Sequence, residues 1–128
     1  MTGRESEVLD AADRLVAAFG TFERDEYFSC FGEDATFTFY NYPDRLTSRA
    51  DYERVWDEWV SDGWRVISCV STNRSVQQLG GDVAIFTHDV ATTFSGDAPE
   101  PVHERESIVF VLRESWVAVH EHLSAIPT

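Results

Sequence analysis

Two alternating runs near the C-terminus constrain this chain most: Arg105-x-Ser107-x-Val109-x-Val111 and Trp116-x-Ala118-x-His120-x-His122-x-Ser124. A β-strand sends alternate side chains to one face, so each run paints one stripe on a sheet. A short break at Glu114-Ser115 predicts a hairpin between them. If Arg113 pairs with Trp116, then Val111 faces Ala118, Val109 faces His120, Ser107 faces His122 and Arg105 faces Ser124. That register gathers a guanidinium, two imidazoles and two hydroxyls on an otherwise apolar surface. Burying such groups unpaired is costly, so the pattern points to a lined pocket.

The rest of the chain says what could surround that pocket. Its 128 residues fit a single domain over residues 1–128, long enough to bury roughly two-thirds of the unfolded surface. Nine Phe, four Tyr and four Trp supply the volume for a core or a walled cavity. Ten basic against 23 acidic residues leave a net charge of −13. Such a chain repels phosphate backbones and anionic lipid surfaces, which excludes nucleic acid and membrane as partners. All the basic residues are Arg. Without Lys there is no Schiff base and no phosphate-binding P-loop, and no cofactor is expected. Cys30 and Cys69 have neither CxxC nor zinc spacing and read as free thiols. No run approaches the roughly 18 apolar residues of a membrane span, so a cytoplasmic protein is expected.

Periodicity places the elements. Val8, Ala12, Leu15, Val16 and Phe19 predict a helix over 5–19, closed by Gly20. Thr21 is placed to cap a second helix over 22–31, ended by Gly32. Residues 35–40 alternate as a strand, and 41–45 form a loop around Pro43. Ser48 and Asp51 resemble a capping box, followed by Tyr52, Val55, Trp56, Trp59 and Val60 at helical spacing, with Gly63 as the stop. Strands are expected at 64–78, 82–94, 102–112 and 116–123, broken at Gly80-Gly81, at 96–101 and at Glu114-Ser115. Helices segregated before an antiparallel sheet indicate an α+β fold.

This order and the terminal motif resemble the nuclear-transport-factor-2-like superfamily, and within it the SnoaL-like (polyketide cyclase-like) group, with the calcium/calmodulin-dependent kinase association domain as a relative. The residues that carry the resemblance are Arg105, Ser107, Val109, Trp116, Val119, His120, His122 and Ser124. The usual Thr is here Ser107, the usual Gly before the Trp is Ser115, and Ala118 replaces a larger aliphatic. The resemblance implies a cystatin-like cone, three N-terminal helices on a strongly curved antiparallel sheet with a central pocket, and a homodimer across the outer sheet face. It does not imply one chemistry, because this fold hosts isomerases, cyclases, dehydratases and assembly domains.

The candidate residues follow from the predicted pocket. Arg105 would hold a carboxylate or enolate-like oxygen, or else pair with an acid such as Asp89. His120 would carry a proton near neutral pH, assisted by Asp89 or Tyr40, while His122 either joins it or serves as a core hydrogen bonder. Ser107 and Val109 line the same face. Tyr52, Trp56 and Trp59 form either a pocket wall or core packing. His120, His122 and His103 could be imagined around a metal, but Arg105 lies among them and would repel a cation, so no metal is expected. His88 is assigned to the face opposite Asp89, at an interface. The opposite stripe, with Glu104, Glu106, Ile108, Phe110 and Glu121, is assigned to a surface covered by a second subunit. Three functional readings stay open. One is cofactor-free proton transfer (isomerisation, cyclisation or dehydration) on a small apolar carbonyl or carboxylate compound. The others are a non-catalytic domain binding or sensing an apolar or anionic ligand, and a homo-oligomerisation module.

Overall fold

The computed structural model describes residues 3–96 and 100–127. Of the expected break at 96–101, residues 97–99 lie outside the described residues. In chain order the elements are α1 (Gly3–Gly20), α2 (Arg24–Ser29), β1 (Phe31–Phe39), α3 (Arg49–Ser61), β2 (Val66–Gln78), β3 (Val83–Phe94), β4 (Val102–Leu112) and β5 (Trp116–Ala125). The α+β order read from periodicity is the order observed.

Local chemistry explains the boundaries. Ser48 Oγ accepts the Asp51 amide at 3.1 Å, which caps α3, while the Asp51 carboxylate reaches back to the Thr47 amide and hydroxyl. Gly63 follows α3 at φ +96°, a left-handed turn that a side chain would resist. Helix α2 differs from expectation. Thr21 does not cap it, because its hydroxyl donates back to Ala17 O at 2.8 Å in the last turn of α1. The N-cap is Glu23, with no side-chain capping bond. At the other end β1 begins at Phe31, so Gly32 lies within the strand rather than ending a helix.

The strands form one five-stranded sheet in the order β1-β5-β4-β3-β2. All neighbours are antiparallel except β1, which joins β5 in parallel. Irregularities between Val66 and Ser68, between Thr72 and Ser75, and between Val109 and Phe110 break the ladders. Bulges of this kind bend a strand and increase its twist, which curves the sheet.

All three helices pack on one face of the sheet. The inward stripes are Ala84, Phe86, His88, Val90 and Thr92 on β3, and Glu104, Ile108 and Phe110 on β4, all buried. They meet Val8, Ala12 and Leu15 of α1, Tyr27 and Phe28 of α2, and Tyr52, Val55 and Trp56 of α3 in one core. Rings dominate it: Trp56 packs edge-on to Trp64 at 4.8 Å and Tyr52 to Phe37 at 4.6 Å between centroids. The Trp116 indole N–H donates to Glu7 at 2.9 Å and ties β5 to α1.

The last hairpin holds the register read from the sequence over most of its length. Val109 pairs with His120, Ser107 with His122 and Arg105 with Ser124. Near the turn the pairing moves by one, with Val111 opposite Val117 and Leu112 opposite Trp116. Between the two segments β5 carries one extra residue, Val119. That residue reverses the alternation. Trp116 and Ala118 point inward before it, and Glu121 points inward after it. The single stripe expected from Trp116 to Ser124 is therefore split across both faces of the sheet.

Candidate functional site

The sheet and helices enclose a cavity of about 310 Å³, near the lower end of ligand-site volumes. The rings of Phe19, Tyr27, Phe39, Tyr52, Trp59, Trp64 and Phe94 wall it. Exposed Asn41 and Asp62 mark its mouth. The polar lining comes from the sheet: His88, Thr92 and Cys69 from β3 and β2, Glu104 and Glu106 from β4, Glu121 from β5. No Arg lines it.

The face expected to line the pocket is instead the convex exterior. Arg105, Ser107, Val109, His120, His122 and Asp89 share one face, as the register requires, but none lines the cavity. Arg105 is more than half exposed and its Nε donates to Asp89 Oδ1 at 3.3 Å; Asp89 also accepts from Asn73 Nδ2 at 2.7 Å. The Asn73 amide and then the Arg105 charge hold the Asp89 carboxyl below its ordinary range. His120 Nδ1 lies 2.8 Å from Thr36 Oγ1 on the neighbouring β1. Partial burial and then the nearby His122 push the His120 pKa down. The physical reason for the inversion is apolar weight. The stripe carrying Phe86, Ile108 and Phe110 offers far more area to bury than the one carrying Thr87, Ser107 and Val109, and it takes the core with its glutamates attached.

Three further placements change. His88, assigned to an interface, lines the cavity with its side chain fully shielded from solvent. The stripe of Glu104, Glu106, Ile108, Phe110 and Glu121 is covered by the chain's own helices and needs no second subunit. An anionic ligand was expected because of Arg105, which stands outside the cavity. Of the aromatic stripe on α3, Tyr52 and Trp59 line the cavity and Trp56 is core packing. Tyr40 is half exposed at the rim and donates to Glu104 Oε2 at 2.7 Å.

Inside, the polar groups form a connected chain. His88 Nε2 lies 2.7 Å from Glu106 Oε1, and His88 Nδ1 lies 2.6 Å from Ser71 Oγ. A carboxylate can only accept, so Nε2 carries the proton toward Glu106; in the neutral ring Nδ1 then accepts from the Ser71 hydroxyl. Glu121 is buried, and its pKa is pushed well up by burial, by the Glu106 charge, by a hydrogen bond shared with that carboxyl, and by Glu104. A buried carboxyl beside a second, largely shielded one cannot ionise cheaply, so the pair shares a proton. Glu121, the more deeply buried member and the one whose pKa is raised, holds that proton. Glu104 is also raised, mainly by burial, although the Tyr40 hydroxyl works against that. Partial burial and then the same contact push Tyr40 up to about 12.

Tyr27 and Tyr52 complete the interior. Their hydroxyl oxygens lie 3.1 Å apart, and burial followed by the neighbouring Glu121 carboxyl holds both phenols well above their ordinary range. Whichever hydroxyl donates to the other, one proton remains for the cavity. Cys69 faces the same space, with its thiol pushed up to about 11 by burial, so it is an inert wall and not a nucleophile. Among the described residues no group of three or more His, Cys, Asp or Glu is arranged to hold a metal ion. No described helix is long and apolar enough to cross a membrane.

Comparison with known proteins places this geometry. Solved structures match across almost the whole chain. A ketosteroid isomerase-like protein from Erwinia carotovora atroseptica superposes with a TM-score of 0.86 at 14% identity, covering 100% of both chains. ActVI-ORFA from Streptomyces coelicolor gives 0.79 at 17%, covering 97% of this chain and 98% of that one. A Xanthomonas campestris protein, provisionally described as a calcium/calmodulin dependent protein kinase II association domain, gives 0.76 at 21%, covering 94% and 86%. At these identities the likeness establishes the cystatin-like, nuclear-transport-factor-2-like fold and not the chemistry. No curated protein matches in sequence. The family model for the SnoaL-like domain matches residues 8–128, and the chain belongs to that family.

Proposed function

We propose that the cavity binds a compact, largely apolar carbonyl compound and moves a proton on it without a cofactor. The observation that carries this reading is the buried Glu121 carboxyl coupled to the partly buried Glu106 in an aromatic-walled cavity, with Glu106 held by His88 at 2.7 Å. Environments that push two neighbouring acids apart define an acid and a base. Glu106, ionised, takes a proton from the carbon beside the carbonyl. Glu121, protonated, and the free hydroxyl proton of the Tyr27–Tyr52 pair donate to the oxygen on which charge develops. Returning the proton from Glu106 to a different carbon gives isomerisation; returning it to a departing β-hydroxyl, which leaves as water, gives dehydration.

The test is proton exchange. Compact cyclic ketones incubated in D2O with the protein should exchange their α-protons faster than in buffer, followed by NMR. Glu106→Gln should cut that rate about 10²–10⁴-fold, the usual worth of a positioned base. Arg105→Ala and His120→Ala should leave it unchanged. Exchange that survives in Glu106→Gln, or that vanishes in His120→Ala, would move the chemistry elsewhere.

We also propose a homodimer through the outer sheet face. The helices all pack on the other side, and Ile85, Val109 and Val111 form a half-exposed apolar band there. Light scattering should give twice the 14.5 kDa chain mass, and Val109→Arg should halve it.

A further inference from the structure

We infer that the ligand of this cavity carries a positively charged nitrogen, a protonated amine seated on the Glu104 carboxylate among the aromatic walls. This rests on the cavity being the ligand site and goes further by fixing the ligand's charge and where that charge sits.

The first observation is an imbalance. Glu104, Glu106 and Glu121 project into the cavity and Asp62 stands at its mouth, while the lining holds no guanidinium. Glu106 is answered by His88 and Glu121 by the proton shared with Glu106. Glu104 has no such partner. It is 4% exposed, and among the described residues its one hydrogen bond comes from the neutral Tyr40 hydroxyl to Oε2. A carboxylate offers about four lone-pair sites, of which the Tyr40 hydroxyl fills one. A buried carboxylate left so poorly matched is costly, and a charged donor from a ligand repairs it.

The second observation is the wall itself. Trp59 and Trp64 lie among its rings. Tryptophan faces attract ammonium groups within about 6 Å more strongly than other side chains do. A carboxylate ligand would meet three acids and no cation. A neutral ligand would leave Glu104 unmatched. The net charge of −13 adds a long-range field that draws cations toward the protein.

Position separates this role from the proton chemistry. Glu104 pairs across the sheet with Val90 and Ala125 and meets Tyr40 at the rim, whereas Glu121 pairs with Ile108 deeper in the cone. An amine at Glu104 therefore leaves the other end of the ligand at the Glu106–Glu121 pair.

The test uses three compounds of one shape: 3-phenylpropylamine, 3-phenylpropanol and 3-phenylpropanoate, titrated calorimetrically at pH 7.5. The amine should bind at least about tenfold more tightly than the carboxylate, with the alcohol between them. Glu104→Gln should weaken the amine about tenfold and leave the alcohol within about twofold. Asp10→Asn, which removes the same charge from the exposed side of α1, should change neither. A carboxylate that binds as well as the amine, or an amine indifferent to Glu104→Gln, overturns the inference while the cavity stands as a ligand site. If none of the three binds, both the inference and the ligand-site reading fall. Loss of α-proton exchange in Glu106→Gln with no amine preference would sink the inference alone.

Discussion

The two faces of the β3–β4–β5 ribbon carry the same kinds of group under opposite rules. Outside, Arg105, Asp89, Asn73, His120 and Thr36 are paired in side chains that reach water. Inside, His88, Glu106, Glu121 and Glu104 sit among rings with too few donors for their oxygens. On the outside, pairing lowers a carboxyl's pKa, as at Asp89; on the inside, burial and like charge raise it, as at Glu121 and Glu104. The lesson is that a set of catalytic residue types on one stripe does not identify a site. The environment that shifts them does.

That comparison can be broken by packing first. Phe110→Ala removes a fully buried inward ring and should lower stability by about 3–5 kcal/mol in urea unfolding. Val109→Ala, its neighbour on the outer face, should cost under about 1 kcal/mol in the monomer. Similar losses for the two would mean that the faces are assigned the wrong way round.

The pH dependence sharpens the same contrast, because the two faces have opposite signs. Glu121 has a folded pKa above its unfolded value near 4.5. Its contribution to stability is full below that value and is lost as pH rises toward the folded pKa. Glu121→Gln should therefore flatten the fall in unfolding midpoint as pH rises above that value. Asp89 has a folded pKa below its ordinary 3.8, so its contribution is present above that value and is lost as pH falls below it. Asp89→Asn should change only the acid limb. An unfolding profile in which Glu121→Gln leaves the upper limb untouched would contradict the buried pair.

Smaller effects come from the exterior alone. The His120 ring should titrate below 6.5 in a proton NMR series, and His122→Gln should move it part of the way back, since burial is the larger cause. Arg105→Ala should shift the unfolding midpoint least of all, because exposed ion pairs are screened and individually weak.

Much of this architecture is legible in the sequence, and the reasons are local. Helix periods at Val8–Phe19 and Tyr52–Val60, the Ser48 cap and the Gly63 stop all act within a few residues. The hairpin register from Arg105 to Val109 follows from alternation alone. The side of the sheet that faces inward is not local: it is decided by which stripe packs better against three helices. The signal was present in the bulk of Phe86, Ile108 and Phe110 on the stripe that also holds His88, Glu104 and Glu106. The extra residue Val119 has no marker such as glycine, so the reversal from Ala118 to Glu121 is visible only in the fold. Tyr27 and Tyr52 are 25 positions apart and their 3.1 Å contact depends on how α2 meets α3.

The most direct measurement is a crystal soaked in a mixture of compact ketones, alcohols and amines. Density is expected within the cone, against Glu121, Tyr27 and Tyr52, with any amine directed to Glu104. Density on the convex face beside Arg105 and His120, with the cone holding only water, would contradict the claim that the chemistry lies inside.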